Sequence, residues 1–502
     1  MLPIIKKYRY RIIIILFFLV GVILSSIYSL IQLYALKYYS IDFSYYMEFA
    51  SKLFDSNLTN KYSAIPNGYN YFGYGGLDGS ISFNHSIHFE PIKYLYAIIY
   101  KIFKNPYSIF LFRSFLYFSP LLYIAFHFPR IEKSDRLFII LLALLLLVYP
   151  STFPSISYDL RPYTVLGPFF LLLMMSLIFN RSKIEILLFF NLLFFSREEA
   201  LLLSLFAIFV YISKWGYKIK IFNIANLLIF NWLAWLAIYY YYYYWADFSF
   251  ATGLLSTVMS IKINPVINIS IFCLFGSLIF ILLYLLFCKL KILKFLPVTI
   301  YSSIYIVVFR PDLEKIIQTP KLGLSELAND LIYNPRYSLH FLLFIILLLL
   351  IHEIIIKVKI KKIIAICMIL GILISLKTNI ETYNLIIMQE RIRQSKPIYS
   401  IKKTMNNMND KIIVDSTTYQ VFYNFENVYV IIESFNNNKY KDKEGRYSVN
   451  GIESLIRKGI DYIVVSNKYF SSIRTTLLQT NIYEIDIILK NNLFVILKLN
   501  RR

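Results

Sequence analysis

The sequence has few cysteines, and their placement excludes two kinds of stabilisation. The three cysteines, Cys273, Cys288 and Cys367, lie inside or at the edges of apolar stretches. A disulfide framework or a structural zinc site needs cysteines at close and regular spacings. We therefore expect these residues to serve in packing alone.

Charged residues are also scarce for a chain of 502 residues. Only 16% of the residues are charged, whereas 58% are hydrophobic and 18% are aromatic, and the mean hydropathy is +0.59. The core of a soluble protein of this length needs less apolar material. The composition therefore predicts a membrane protein.

Acidic residues are fewer than basic residues, 29 against 52, so the formal net charge is +23. In a soluble protein such an excess would indicate nucleic-acid binding. Here the lysines and arginines stand in short clusters between apolar runs, where they act as topology signals. We therefore predict membrane lipid as a partner and no nucleic acid.

The N-terminus lacks the small-residue cleavage site of a signal peptide. Four basic residues between positions 6 and 11 precede an apolar run from Ile12 to Ala35. That run is long enough to span a bilayer. We interpret it as a retained first helix whose N-terminus is cytoplasmic.

Apolar runs recur along the chain and predict a polytopic α-helical protein with about eleven membrane-spanning helices. The runs lie at about residues 12–36, 107–128, 137–150, 163–179, 184–196, 200–213, 222–245, 268–288, 293–309, 338–356 and 362–378. Several are shorter than the roughly 20 residues that a span needs. The boundaries near 150 and 197 are therefore the weakest, and broken or re-entrant helices could occur there.

The basic residues predict how these spans are oriented. With a cytoplasmic N-terminus, every inner segment is basic, as at Arg181 and Lys183, whereas outer segments pair most of their charges with acids, as at Arg310 and Asp312. Such an asymmetry is typical of multi-pass plasma-membrane proteins. An odd number of spans then makes the C-terminal domain extracytoplasmic.

The chain is predicted to divide into a transmembrane domain, residues 1–378, and a C-terminal domain, residues 379–502. Two outer loops, 37–106 and 310–337, are too long to be simple turns, and long ordered loops usually belong to a site. The first loop contains turn signals from Pro66 to Gly79 and an amphipathic stretch from Ile92 to Phe103. We predict that this stretch is a helix lying in the membrane interface.

The C-terminal domain lacks a Gly-rich phosphate loop, a metal-ligand spacing and a nucleophile elbow, so we expect no catalysis of its own. Short strands are predicted at Lys411–Val414, Val428–Ile432, Tyr462–Val465, Ile485–Leu489 and Leu493–Leu497, and helices at Val449–Lys458 and Tyr469–Leu478. The alternation predicts a small soluble α/β domain.

Charged residues collect at the outer boundary of the predicted spans. They are Asp42, His85, His88, Glu90, Asp159, Arg161, Arg197, Glu198 and Glu199. An ionisable group at this depth is costly unless it is paired or lines a wet cavity. Because separate segments deliver acids and bases to the same side and depth, we predict a functional site there.

Each of these residues also has a simpler interpretation. Asp42 could be a helix N-cap or a solvated loop acid. Arg197 and Glu198 could form an ordinary ion pair at a helix start. His85 and His88 could meet on one helical turn as metal ligands, but the Glu-Pro that follows them favours a turn, and we predict no metal there.

At these residues the chain resembles a large family of archaeal and bacterial multi-pass proteins of unknown function that are assigned to the GT-C glycosyltransferase superfamily. The resemblance lies in Asp42 after the first span, His88-Phe89-Glu90-Pro91 before the second, Asp159-Leu160-Arg161-Pro162 before a later one and Arg197-Glu198-Glu199 opening another. Arg161, Arg197 and Glu199 stand where the family has His, Lys and Asp. A role that needs a neutral imidazole at position 161 would therefore be lost.

The resemblance implies transfer of a sugar from a polyprenyl-phosphate carrier to a lipid-linked or protein acceptor at the outer membrane face. An inverting transfer needs a carboxylate to accept the acceptor proton, for which Asp42 is the first candidate, with Asp159 or Glu198 behind it. The remaining candidates would bind phosphate or sugar: His88, Glu90, Arg161, Arg197 and Glu199. The cofactor is unknown; Glu198 and Glu199 could bind a divalent cation weakly or be salt-bridged.

Two other classes of function stay open. A transporter or flippase of a lipid-linked sugar could place the same charges along its substrate path, although we find no internal repeat and the charges gather at one face instead of the midplane. A non-catalytic scaffold could use its outer domain to bind a surface partner. The sequons that begin at Asn57, Asn84 and Asn268 all fall on the predicted outer side.

Overall fold

The computed structural model describes residues 2–36, 42–52, 90–128, 136–149, 152–157, 160, 162–179, 181–197, 200–215, 223–245, 358–382, 385–403, 405, 410–415, 417–423, 428–432, 447–448, 456, 459–480 and 482–501. Helices and strands are numbered in chain order within these ranges. They form a mainly helical structure with one small sheet of six strands.

The helices of the first part follow the apolar runs of the sequence. They are α1 (Leu2–Tyr34), α2 (Asp42–Lys52), α3 (Ile92–Phe103), α4 (Pro106–His127), α5 (Arg136–Val148), α6 (Thr152–Ser157), α7 (Leu166–Ile178), α8 (Lys183–Ser196), α9 (Ala200–Trp215), α10 (Ile224–Trp245) and α11 (Val358–Thr382), with a 3-10 turn at Pro162–Val165. Helices at the predicted runs are confirmed for α1, α4, α5 and α7 to α11. The runs at 268–288, 293–309 and 338–356 lie outside the described residues.

Of two further helices, α2 and α3, the sequence predicted only α3. The amphipathic stretch from Ile92 to Phe103 is a helix with the predicted bounds, α3. Helix α2 was not predicted, and its first residue is Asp42, which the sequence assigned to a loop. Its mixed composition of aromatic, polar and charged residues gives no apolar run that would have indicated it.

Local capping explains several helix ends. Asn105 accepts a hydrogen bond from the Tyr107 backbone N–H at 2.9 Å, and Pro106 occupies the first position of α4, where a missing N–H costs nothing. Ser182 caps α8 by accepting from the Glu185 N–H at 3.3 Å. Lys104 ends α3 in the left-handed conformation with φ of 49°. The breaks near residues 150 and 197 are real helix ends, at Val148 and Ser196.

Within the described part of the chain, the segments Arg9–Tyr34 and Pro106–His127 are long and apolar enough to cross a membrane. Shorter apolar helices accompany them at Arg136–Val148, Leu166–Ile178, Ile224–Tyr239 and Ala365–Lys377. Large apolar side chains are exposed along α1, among them Leu16, Leu19, Ile23, Leu24 and Ile27. An exposed apolar stripe of this kind is typical of a surface that faces lipid.

The opposite face of α1 packs against α4 at a glycine. A Cβ added to Gly21 would lie 2.9 Å from the ring of Phe118, which is closer than side chains tolerate. One turn away, Phe18 and Phe115 pack edge to face with ring centroids 5.6 Å apart. A small residue at this position therefore lets the two helices approach closely, as is common between membrane helices.

The C-terminal part has a helix followed by the sheet. Its elements are α12 (Leu385–Lys402), β1 (Ile412–Asp415), α13 (Tyr419–Phe422), β2 (Val428–Ile432), β3 (Tyr447–Ser448), β4 (Tyr462–Ser466), a 3-10 turn at Asn467–Tyr469, α14 (Phe470–Thr480), β5 (Tyr483–Lys490) and β6 (Phe494–Arg501). The predicted strands and the second predicted helix are confirmed. The predicted helix at Val449–Lys458 lies outside the described residues except for Ile456, while α12, α13 and β3 were not predicted.

The sheet has the strand order β3-β2-β1-β4-β6-β5. Strands β3, β2, β1 and β4 are parallel, and β6 pairs antiparallel with both β4 and β5. Both faces are covered: Ile398 of α12 packs with Val414 and Val464, and Ile473 of α14 packs with Ile463. The runs of buried apolar residues in β1 and β4 follow from this double coverage.

Helix α12 joins the C-terminal domain to the end of α1. The Tyr399 hydroxyl donates to the Leu33 carbonyl at 2.9 Å, and the Ser395 hydroxyl donates to the Tyr34 carbonyl at 2.5 Å. Arg391 Nε donates to the Ala35 carbonyl at 3.2 Å. The last carbonyls of a helix have no partner within the helix. Helix α12 therefore supplies the cap of α1 and fixes the domain at that end.

Candidate functional site

Glu90 and Arg197 are two predicted site residues that the structure brings together. Arg197 Nε lies 3.9 Å from Glu90 Oε1, and the side chains are 14% and 1% exposed. Arg197 follows α8 in an extended conformation, with φ of −175° and ψ of 166°, so its side chain leaves the line of the helix. Glu90 directly precedes Pro91 and α3. A buried ion pair thus joins segments that are distant in the chain.

Tyr46 of α2 completes the surroundings of Glu90. Its hydroxyl donates to Glu90 Oε2 at 2.5 Å, so the two carboxylate oxygens face different partners. Hydrogen bonds to an ionised acceptor are stronger than those between neutral groups. Three separate segments therefore meet at a single buried carboxylate: α2, the residue before α3 and the connection from α8 to α9.

Asp42 is placed close to this group through its backbone. It is the first residue of α2 and stands one helical turn before Tyr46. The ring of the next residue, Phe43, packs against Phe110 of α4 with centroids 6.0 Å apart. The start of α2 therefore lies near the Glu90–Arg197 pair, and the role of Asp42 in the site stays a prediction.

Arg113 is a buried cation that the sequence did not single out. It lies within α4, its side chain is fully buried, and its guanidinium carbon is 5.9 Å from the centre of the Phe110 ring. Since Phe110 also contacts Phe43, Arg113 belongs to the same neighbourhood as the start of α2. An arginine inside a predicted span was the available signal, because such residues are functional candidates by default.

Lys93 is the second buried cation that was missed. It lies on α3, close after Glu90, is 4% exposed, and its Nζ lies 5.5 Å from the Phe49 ring centre and 5.7 Å from that of Tyr94. A cation over aromatic faces keeps part of the stabilisation that it loses by leaving water. The sequence treated Lys93 as part of the polar face of an amphipathic helix.

The remaining predicted site residues, His88, Asp159, Arg161, Glu198 and Glu199, lie outside the described residues, and so does His85. Leu160, between two of them, is fully buried. Their membership of the site stays a prediction.

A second charged cluster, which was not predicted, lies at the other end of α8. Arg181 Nε donates to both carboxylate oxygens of Glu185 at 3.1 and 3.2 Å, and the Tyr123 hydroxyl donates to Glu185 Oε1 at 2.5 Å. His127 Nε2 lies 3.5 Å from the same oxygen. The cluster ties the last turn of α4 to the first turn of α8.

Comparisons with known proteins find a similarity among solved structures. No family model matches the chain, and no curated protein matches it significantly. The crystal structure of ArnT from Cupriavidus metallidurans bound to undecaprenyl phosphate is similar over 95% of this chain and 97% of that chain, with 12% identity and a TM-score of 0.42. The apo structure is similar over 90% and 92%, with 12% identity and a TM-score of 0.38. At this identity and these TM-scores, the similarity by itself assigns no activity to the chain.

Proposed function

We propose that the chain is a membrane glycosyltransferase of the GT-C type. In this proposal it moves a sugar from a polyprenyl-phosphate-linked donor to a lipid-linked or protein acceptor at the outer face of the plasma membrane. The proposal starts from the sequence resemblance to the GT-C superfamily and rests on the residues of this chain.

The contact between Glu90 and Arg197, beside the helix that begins at Asp42, carries the proposal. A buried ion pair costs desolvation that its own attraction barely offsets. Here the pair has a long separation of 3.9 Å and joins segments from distant parts of the chain. Such an arrangement places a buried cation and a buried carboxylate where separate segments meet, which suits a site for a charged ligand.

The chemistry assigns a role to each member of the group. The acceptor oxygen attacks the anomeric carbon of the donor sugar, forming the glycosidic bond while the bond from that carbon to the carrier phosphate breaks. The proton of the acceptor passes to the carboxylate of Asp42. The electron pair of the broken bond stays on the phosphate, whose charge Arg197 stabilises.

Glu90 acts as a positioning residue in this scheme. Its carboxylate is held by Tyr46 at 2.5 Å and faces the Arg197 guanidinium, so it orients that cation towards the carrier phosphate. Arg113 adds a second buried positive charge near the start of α2. In this proposal the second positive charge adds to the electrostatic attraction for the doubly charged leaving group.

The other predicted site residues complete the proposal. Asp159 and Glu198 are the second candidates for the base, and His88, Arg161 and Glu199 are proposed to bind sugar or phosphate. Glu198 and Glu199 could hold a divalent cation, which would neutralise phosphate charge in the transfer. Chelation tests this point. A metal-dependent enzyme is expected to lose its activity when the metal is chelated and to recover it when the ion is added back.

The proposed setting is a multi-pass protein with about eleven spans, a cytoplasmic N-terminus and an extracytoplasmic C-terminal domain. The exposed apolar stripe of α1 and the length of α4 support insertion in lipid. The attachment of α12 to the end of α1 supports a C-terminal domain on the side where the first span ends.

The experiment is transfer of radiolabelled sugar from polyprenyl-phosphate donors in membranes that contain the chain. Asp42→Asn and Arg197→Ala are expected to abolish transfer. Arg393→Ala is the control, because Arg393 is an exposed residue of α12 that pairs with Glu390 at 3.0 Å. Absence of transfer from any donor, combined with movement of labelled lipid across the bilayer, would replace the enzyme by a flippase.

A further inference from the structure

A basic cavity lies where α12 meets the end of α1. Its volume is about 800 Å³, and it is lined by Tyr34, Ile392, Ser395, Lys396, Tyr399, Lys402, Lys403 and Met405. Three of these residues are lysines, and none of the described residues that line the cavity is acidic. The lining therefore carries a concentrated positive charge.

Lys402 is the most enclosed of the three lysines. Its ammonium donates to the Val421 carbonyl and lies 5.1 Å from the centre of the Tyr423 ring. Burial lowers the pKa of Lys402 to about 8. An ammonium group in such surroundings regains stabilisation when an anion comes close to it.

Two of the three hydroxyl groups of the lining are used for the fold. Ser395 donates to the Tyr34 carbonyl and Tyr399 to the Leu33 carbonyl, which caps α1. Lys396 and Lys403 are exposed at the mouth of the cavity, whereas Lys402 is partly buried within it. The lysines are therefore the groups that a bound ligand would meet.

The position of the cavity decides what can reach it. Tyr34 is the last residue of α1, a helix whose apolar stripe is exposed up to Ile27. Lipid headgroups lie at the end of an apolar membrane helix, and lysines placed there attract anionic lipids. A cavity beside Tyr34 is therefore within reach of a phosphate that is carried either by a lipid or by a soluble molecule.

We propose that this cavity is a binding site for a phosphate-bearing anion, held by Lys396, Lys402 and Lys403. None of its lining residues belongs to the Glu90–Arg197 group, so the site does not depend on the proposed transferase activity. A compact point charge such as an ammonium suits phosphate binding. Charge-assisted hydrogen bonds from several lysines would supply the affinity.

Native mass spectrometry of the purified full-length protein, titrated with phosphatidylglycerol, tests the proposal. The wild-type protein is expected to retain phosphatidylglycerol in preference to zwitterionic phosphatidylcholine. The triple substitution of Lys396, Lys402 and Lys403 by Gln is expected to weaken this binding by about tenfold or more. Lys396→Gln/Lys403→Gln leaves the packing of Lys402 intact and is expected to weaken it by roughly threefold.

Lys490→Gln is the matched control, because Lys490 is an exposed lysine of β5 that does not line the cavity. Added inorganic phosphate distinguishes the sources: displacement of the lipid identifies a site for phosphate itself, and persistence identifies a lipid headgroup site. Equal binding by the wild type and the triple variant would overturn the proposal. An equal loss in Lys490→Gln would also overturn it, since general surface charge would then explain the binding.

Discussion

Two charged clusters lie at opposite ends of α8 and are built in opposite ways. Glu185, in the first turn, forms two hydrogen bonds with Arg181 at 3.1 and 3.2 Å, and Arg181 is only four residues away in the chain. Glu90 faces Arg197, just beyond the last turn, at 3.9 Å and across a long stretch of chain. The two clusters are about 18 Å apart along the helix axis.

The two ion pairs differ in how much of the cost of desolvation they recover. The Arg181–Glu185 pair is partly exposed and local, so its cost of desolvation is small and its geometry is good. Glu90 is 1% exposed, and its longer contact with Arg197 returns less of the cost of burying both charges. The geometry of the first pair is therefore explained by the fold, whereas the second is the pair that the proposed function uses.

The largest expected effect is that of Asp42→Asn on sugar transfer. An amide of the same shape cannot accept the acceptor proton, so we expect the rate to fall by about 10²- to 10⁴-fold. Glu185→Gln is the matched change in the other cluster and is expected to leave transfer nearly unchanged. Rates measured in membranes at equal protein levels provide the comparison. Full activity of Asp42→Asn would remove Asp42 from the role of base and direct the same test to Asp159 and Glu198.

The next largest effect concerns the stability of the Glu90–Arg197 pair. Arg197→Met leaves the buried carboxylate of Glu90 without that cation, and we expect a loss of about 3–5 kcal/mol in the free energy of unfolding. Adding Glu90→Gln removes the buried charge while an acceptor for Tyr46 remains, so most of the loss should be recovered. Denaturant titration of the purified protein in detergent measures both values.

Sugar-transfer activity is the second measurement on the Glu90–Arg197 variants. The double variant is expected to be stable yet inactive, because it has lost the cation that is proposed to face the phosphate. A double variant that transfers sugar at the wild-type rate would contradict the role of Arg197. If Glu90→Gln did not restore the free energy of unfolding of Arg197→Met, an uncompensated Glu90 charge would not be the cause of the loss.

Parts of this comparison could be predicted from the sequence, and others could not. Apolar runs gave the positions of α4 and α8 to within a few residues, because burial in lipid or protein demands them. The basic loops predicted the same membrane side for Glu90 and Arg197, but their contact depends on tertiary packing, which no local pattern encodes. Arg113 was passed over because its neighbours are apolar and the run was treated as a uniform span.

Helix α12 was missed for a related reason. It is polar along much of its length, contains Pro397, and has no amphipathic period that would mark a buried face. Its role follows only from its contact with α1, because Ser395 and Tyr399 donate hydrogen bonds to carbonyls at the end of α1. The short apolar runs of the five predicted strands are by contrast a local signal, and these strands were found where the sequence predicted them, whereas β3, with only two residues, was not.

A smaller effect tests the packing of α4 on α1. Helix α4 carries Arg113 and, closer to its C-terminal end, Tyr123, and it packs on α1 at Gly21. Gly21→Ala is expected to cost about 1–3 kcal/mol in the free energy of unfolding, because the new methyl group meets the Phe118 ring at 2.9 Å. Gly371→Ala is the control, since its Cβ would lie 3.9 Å from Leu145, an ordinary contact. This change is expected to stabilise α11 by about 0.5–1 kcal/mol. Equal effects of the two substitutions would show that α1 and α4 are less closely packed than the structure indicates.

The smallest effect belongs to the cluster at the start of α8. Arg181→Ala removes hydrogen bonds from a carboxylate that water and Tyr123 still reach, so we expect a loss of about 1 kcal/mol or less and no change in transfer. Arg393→Ala breaks a pair of the same kind whose side chains are 79% and 46% exposed, and its effect should be close to zero. The order expected from denaturant titration is therefore Arg197, then Arg181, then Arg393, following the burial of each carboxylate partner. If Arg181→Ala instead destabilised the protein as much as Arg197→Met, burial would not distinguish the two ends of α8, and the argument that assigns the Glu90–Arg197 pair to function would lose its physical basis.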